Sequence, residues 1–210
     1  MAECTARCIN IPIGRWQGHE PPDPNAVGLL VLGGVLIRKV GIEGRFGAEL
    51  LGDGDLLRPW QEDLDPPTLR AAGDWTVLAP TRIAVLDEQF GRLLGRYPEL
   101  TCCLLSRAVQ RSRHLAVNMA IVHQARVDVR LHMLLWHLAS RWGRVRADGV
   151  TVPIKLTHSV LADLVAARRP TVTTALSELS KRGVVHTVPD GWLLRGQPPG
   201  DFVRITHSST

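Results

Sequence analysis

Residues 156–183 read LTHSVLADLVAARRPTVTTALSELSKRG, and the reading of this stretch decides the fold. Two short helical patterns lie back to back in it. The first runs from Thr157 to Val165, with Val160, Leu161, Leu164 and Val165 at helical spacing on one face. Thr157 suits the N-cap, because its hydroxyl can accept a bond from an unpaired first-turn N–H. The second pattern runs from Arg169 to Lys181, with Val172, Ala175, Leu176 and Leu179 as its buried stripe. Pro170 falls in the first turn, where a missing N–H costs nothing. Gly183 closes the helix at its C-terminal end. This is the layout of a helix-turn-helix.

Working outward, the exposed side of the second helix carries chemistry. Arg168 and Arg169 stand at its N-terminus, and Thr171, Thr173 and Thr174 point away from the apolar stripe. An arginine there can present two donors to guanine O6 and N7 in a major groove. Threonine hydroxyls can reach phosphates or base edges. Downstream, Val184 and Val185, a Pro189-Asp190-Gly191 turn and Trp192–Leu194 read as a two-stranded wing. Periodicity alone would equally suit a helical hairpin with a solvated basic end. The arginine pair, the threonines and the wing together favour DNA binding.

The segment LTHSVLADLVAARRPTVTTALSEL resembles the winged helix-turn-helix of the Crp/Fnr family of bacterial transcription regulators. The resemblance extends upstream through Tyr97-Pro98-Glu99, the long helix after it and Asp128–Trp142, and more loosely over 26–90. It implies a base-reading role for Arg169 and backbone contacts for Arg168, Thr171 and His158. Thr174 stands where many members carry a second arginine, and Pro170 replaces an acidic residue seen in some. The DNA sequence read by those members therefore does not transfer. RNA polymerase is a further partner that the resemblance allows.

Composition fits this picture. The 210 residues are 45% hydrophobic, enough for a sizeable core. No apolar run is long enough to span a membrane. The first residues lack the basic segment and apolar stretch of a signal peptide, so a cytoplasmic location is expected. Residues 129–210 hold 11 Lys and Arg against 5 Asp and Glu, whereas the first 128 hold 14 against 15. The excess positive charge coincides with the helix-turn-helix, which argues for a polyanionic partner.

The expected architecture is α+β: a roll or jelly-roll sensor barrel at 1–97, a dimerisation helix at 98–128 and a winged helix-turn-helix domain at 129–210. Residues 1–25 are Pro-rich and weakly patterned, an arm anchored by Trp16. From Ala26 to Phe90 the signals are strand-like, with a bulge or turn at Gly33-Gly34 and a tight turn at Gly52–Asp55. Asp87–Gly95 reads as a short helix. From Pro98 the pattern is helical, and Leu105, Ala108, Ser112, Leu115, Met119 and Val122 form a heptad seam. A helix lying on its own barrel could use the same residues, but a two-chain coiled coil fits better. A homodimer would give two recognition helices and a two-fold-symmetric DNA site. Val129–Trp142 is a further amphipathic helix, 143–155 a hairpin turning at Asp148-Gly149, and 197–210 a tail.

What the barrel senses is argued chiefly by absence. Cyclic-nucleotide binders of the family hold the phosphate with a Gly-Glu pair and a later arginine beside a small hydroxyl residue. The matching region, LLRPWQEDLDPPTLRAAGDW, instead clusters Glu62, Asp63 and Asp65 and loses donors at Pro66 and Pro67. Arg70 is a faint echo of the arginine end. The cassette is degenerate, and cyclic AMP and cyclic GMP are not expected effectors. Cys4, Cys8, Cys102 and Cys103 supply enough thiolates for an iron–sulfur cluster. Adjacent helical residues diverge by about 100°, however, so Cys102 and Cys103 could hardly face one cluster. The four are expected to be incidental. No histidine lies between His19 and His114, and no nucleophile elbow, phosphate loop or dinucleotide fingerprint appears, so neither a metal site nor an enzyme is expected. The rival class is a ligand-binding or scaffolding protein that leaves its helix-turn-helix unused.

Overall fold

The computed structural model describes residues 4–17, 25–42, 45–60 and 72–199. Among these residues ten strands and five helices follow in order: β1 (Arg7–Ile11), β2 (Gly14–Trp16), β3 (Gly28–Ile42), β4 (Arg45–Gly52), β5 (Leu56–Leu57), β6 (Ala72–Leu86), α1 (Glu88–Leu94), α2 (Pro98–Val122), α3 (Val127–Trp142), β7 (Arg144–Arg146), β8 (Gly149–Val152), α4 (His158–Leu164), α5 (Arg169–Lys181), β9 (Val185–Val188) and β10 (Gly191–Leu194). The chain divides into two compact units, Met1–Ala116 and Val117–Thr210.

The first unit is an antiparallel sheet ordered β1-β6-β3-β4, with β2 also on β6 and β5 on β3. Leu29, Val31, Leu36, Leu51, Leu57, Val77, Ile83 and Val85 fill its interior, which is the roll expected from the strand signals. Gly33-Gly34 is a bulge rather than a turn, since β3 runs through the pair with register shifts against β6. The weakly patterned arm is more ordered than its composition suggests. Arg7–Ile11 pairs with Thr81–Val85, and Ile9 and Ile11 pack on the core. Trp16 lies edge-on to Trp75 with centroids 5.6 Å apart. At the Gly52–Asp55 turn, Asp55 accepts from the Gly52 N–H at 2.7 Å. Asp87 caps α1 by accepting from the Phe90 N–H at 2.9 Å.

Only part of α2 faces this sheet. Leu104 packs on the cluster of Ala84, Leu86 and Phe90. Arg107 lies so close over Gly54, at φ +82°, that a Cβ there would collide with its guanidinium. One turn later Arg111 donates to both carboxylate oxygens of Glu49, at 2.6 and 3.2 Å, and to the Leu56 carbonyl at 3.0 Å. Arg38 approaches the same carboxylate at 3.5 Å. Glu49 is buried, and these cations stand where water would otherwise solvate a carboxylate.

The second unit is built on helical stripes. Leu131, Leu134, Leu135 and Leu138 of α3 are buried, as are Leu161 and Leu164 of α4 and Val172, Ala175, Leu176 and Leu179 of α5. Its sheet is ordered β7-β8-β10-β9, so the hairpin before the helix-turn-helix and the wing after it form one layer. Trp192 pairs with Val152 across that seam. Gly191, at φ +154°, permits it, because a Cβ would strike the Val152 carbonyl.

Candidate nucleic-acid interface

The helix-turn-helix is built as its local chemistry dictates. The Thr157 hydroxyl accepts from the Val160 N–H at 3.2 Å and starts α4. The chain then reverses through Ala166, a non-glycine residue at φ +48°. Arg168 opens α5 with extended backbone, and Pro170 occupies the first turn. The helix ends at the cap residue Arg182, followed by Gly183 at φ +72°.

The exposed face of α5 gathers the predicted residues. Arg168, Arg169, Thr171, Thr173 and Thr174 are all exposed. Among the described residues neither arginine engages a carboxylate. Thr173 donates to the Arg169 carbonyl at 3.1 Å, and Thr174 to the Pro170 carbonyl at 3.3 Å, the usual back-bonds of helical threonines. His158, at the start of α4, is brought against this face: its Nδ1 lies 2.9 Å from the Thr173 hydroxyl.

Behind that face the arginines are spent internally. Asp128, buried in the first turn of α3, receives two bonds from Arg126 at 3.0 and 2.7 Å and has Arg182 at 3.5 Å. Burial would raise the Asp128 pKa, but the bond and charge of Arg126 outweigh it and hold the carboxyl below its ordinary range. Arg130 donates to the Gln124 carbonyl at 2.6 Å and to Val165 at 3.1 Å, tying the turn before α3 to the turn of the helix-turn-helix. His132 accepts from the Trp136 indole at 3.1 Å, and burial, with Arg182 nearby, lowers its pKa. The surface pairs Arg146–Asp190 and Arg195–Asp148, at 3.6 and 3.8 Å, contribute little. Periodicity gave no hint of the contacts Arg182–Asp128 and Arg130–Val165, because these partners lie on other elements.

Of the seam residues on α2, Leu105, Ala108, Ser112, Leu115 and Met119 are exposed and Val122 is half-buried. The exposure reaches 64% at Leu105 and 65% at Met119. The side chains that meet the sheet, Leu104, Arg107 and Arg111, form a stripe immediately beside the seam on the same helix. All four cysteines are free thiols, with Cys8, Cys102 and Cys103 exposed and Cys4 half-buried. Glu62, Asp63, Asp65, Pro66, Pro67 and Arg70 lie outside the described residues, as does the tail from 200 onward. Among the described residues no helix is long and apolar enough to cross a membrane.

Fold and surface together define a winged helix-turn-helix protein with an N-terminal β-roll. Residues 129–195 match the family model of the Crp-like helix-turn-helix domain. The chain is 34% identical over 100 residues to a global nitrogen regulator of Nostoc sp., covering 47% of this chain and 44% of that protein. It is 24% identical over 179 residues to a CRP-like cAMP-activated global transcriptional regulator of Mycobacterium tuberculosis, covering 85% of this chain and 79% of that one. Its fold matches a cyclic nucleotide-binding domain containing protein from Listeria monocytogenes with a TM-score of 0.71 at 14% identity, over 90% of this chain and 89% of that one. Residues 129–195 thus carry a Crp-like helix-turn-helix domain, and the chain as a whole is similar to regulators of that type.

Proposed function

We propose that this protein is a sequence-specific DNA-binding transcription regulator of the Crp/Fnr type, acting as a homodimer in the cytoplasm. The observation that carries the reading is the exposed face of α5. Arg168, Arg169, Thr171, Thr173 and Thr174 converge there with His158, and among the described residues the two arginines are left without a carboxylate while Arg126 and Arg182 are paired with Asp128. Arg169 reads a base, and Arg168, Thr171 and His158 hold the backbone. The functional division is a sensor at 1–97, a dimerisation helix at 98–128 and a DNA-binding domain at 129–210. Leu105, Ala108, Ser112, Leu115, Met119 and Val122 meet the same residues of a second copy, which supports a two-fold-symmetric site.

The direct test is in-vitro selection of DNA by the full chain. A two-fold-symmetric motif is expected, and failure to enrich any sequence would favour a scaffolding role. Leu115→Asp should make the protein monomeric by sedimentation, because an unpaired carboxylate would be buried in the seam. An unchanged dimer would place the interface elsewhere. Cyclic AMP and cyclic GMP are not the effectors in this reading. Saturation at 100 times a dissociation constant would stabilise by about 2.7 kcal/mol, so a flat melting temperature at millimolar nucleotide is the expected result.

A further inference from the structure

The contact between His158 and Thr173 has a consequence for how the backbone of DNA is held. A threonine hydroxyl carries a single proton, and the Thr173 proton goes to the Arg169 carbonyl at 3.1 Å. Its oxygen, 2.9 Å from Nδ1 of His158, then accepts. In that arrangement Nδ1 carries the hydrogen, and in the neutral ring Nε2 is then a lone pair, an acceptor only. A phosphate offers acceptors and no donor. A neutral His158 would present lone pair to lone pair, whereas the imidazolium presents an N–H and a charge.

Resting on the DNA-binding reading above, we propose that His158 is a proton-coupled phosphate contact whose tautomer is set by Thr173. Binding draws one proton from solvent onto Nε2 of each protomer, and release returns it. Thr173 acts as a positioning residue: it need not touch DNA to decide what His158 can offer. The surroundings of the ring are compatible with this. From α5 it meets Thr173, with the cationic Arg169 one turn before it. From β10 it faces the Trp192 ring, 6.5 Å away between centroids and tilted by 35°. Along α4, positions i+3 and i+4 are the buried Leu161 and Ala162, and the nearest charged residues in sequence are Lys155 and Asp163. Among the described contacts no carboxylate bonds the ring. The threonine hydroxyl is thus the group that fixes which nitrogen is protonated.

The experiment uses the full chain and a duplex recovered by in-vitro selection, with affinity measured between pH 8 and pH 6, where imidazoles change charge. Wild type should bind about tenfold more tightly per protomer at the lower pH, the effect of one charge-assisted bond in each half-site. Its log–log salt slope should steepen by about 0.9 per protomer. His158→Gln, whose amide donates at any pH, should bind with a flat profile. Thr173→Val, which keeps the shape and removes the hydroxyl, frees the neutral ring to place its hydrogen on Nε2 and should lose most of the slope. A flat wild-type profile, or a full slope in His158→Gln, overturns the proton-coupled contact. A full slope in Thr173→Val overturns the role of the threonine. Failure of selection to yield any duplex sinks the DNA-binding reading itself, and this inference with it.

Discussion

Arginine is put to opposite uses at two places in this protein. In the roll, Arg111 is 19% exposed and spends its donors on Glu49 and a carbonyl, so its charge is cancelled where it stands. At the head of α5, Arg168 and Arg169 are exposed and lack any such partner among the described residues. A buried guanidinium must be neutralised to exist, whereas an exposed one in water can wait for a partner at little cost. The first kind holds a helix to a sheet. The second kind is what a polyanion can use.

The contrast can be broken most sharply at the buried pair. Arg111→Ala leaves Glu49 with only Arg38 at 3.5 Å and should cost about 3 kcal/mol of stability, read as a lower denaturation midpoint. An unchanged midpoint would show that water takes over the role of the arginine. At the exposed pair the effect should appear in binding and not in folding. Arg169→Ala is expected to cost about 1–3 kcal/mol on the selected site and to relax one base position per half-site. Arg168→Ala should weaken all sequences alike and reduce the salt slope by about 0.9. Equal, sequence-blind losses from both would remove Arg169 from base reading.

Titration sharpens the same comparison. Asp128 keeps a pKa below its ordinary value in the folded chain, so its pairing stabilises at neutral pH and that stability is lost as acid protonates it. His132 has a lowered pKa, so the unfolded chain takes up its proton first. Its effect is to make stability fall as pH drops below the ordinary histidine value of about 6.5. His132→Gln should flatten that part of the stability profile, measured by chemical denaturation, and Asp128→Asn the more acidic part. The smallest effect concerns Ala166 at φ +48°. Ala166→Gly relieves left-handed strain but adds freedom to the unfolded chain, for a net gain of about 0.5 kcal/mol. Destabilisation would mean that the methyl makes a contact worth more than the strain.

Much of the second unit was legible before any coordinates. The stripe Val172, Ala175, Leu176 and Leu179, the cap at Thr157 and the bounds of α5 all follow from signals within one or two helical turns, and the structure reproduces them. The start of α3 two residues before Val129 is a minor displacement at a terminus whose N-cap residue, Arg126, makes no side-chain capping bond. The arm at 7–16 was harder, because its strands are stabilised by β6, some seventy residues away in sequence, and not by a local pattern. Of the interface, Arg168, Arg169 and the threonines could be named from helical phase. The bond between His158 and Thr173 could not, since it joins two helices across their turn.

What the sequence determined by itself is the set of elements and their polar and apolar faces, because helix period, caps and turn residues act over a few positions. Tertiary structure decided which side of α2 meets the sheet. Leu104, Arg107 and Arg111 do so, and the seam from Leu105 to Met119 stays exposed. It also decided that the hairpin at 144–152 and the wing at 185–194 share one sheet, and that Glu49 sits where Arg111 can reach it. These are pairings between distant residues, and their free energy exists only once the chain has folded back to bring the partners within bonding distance.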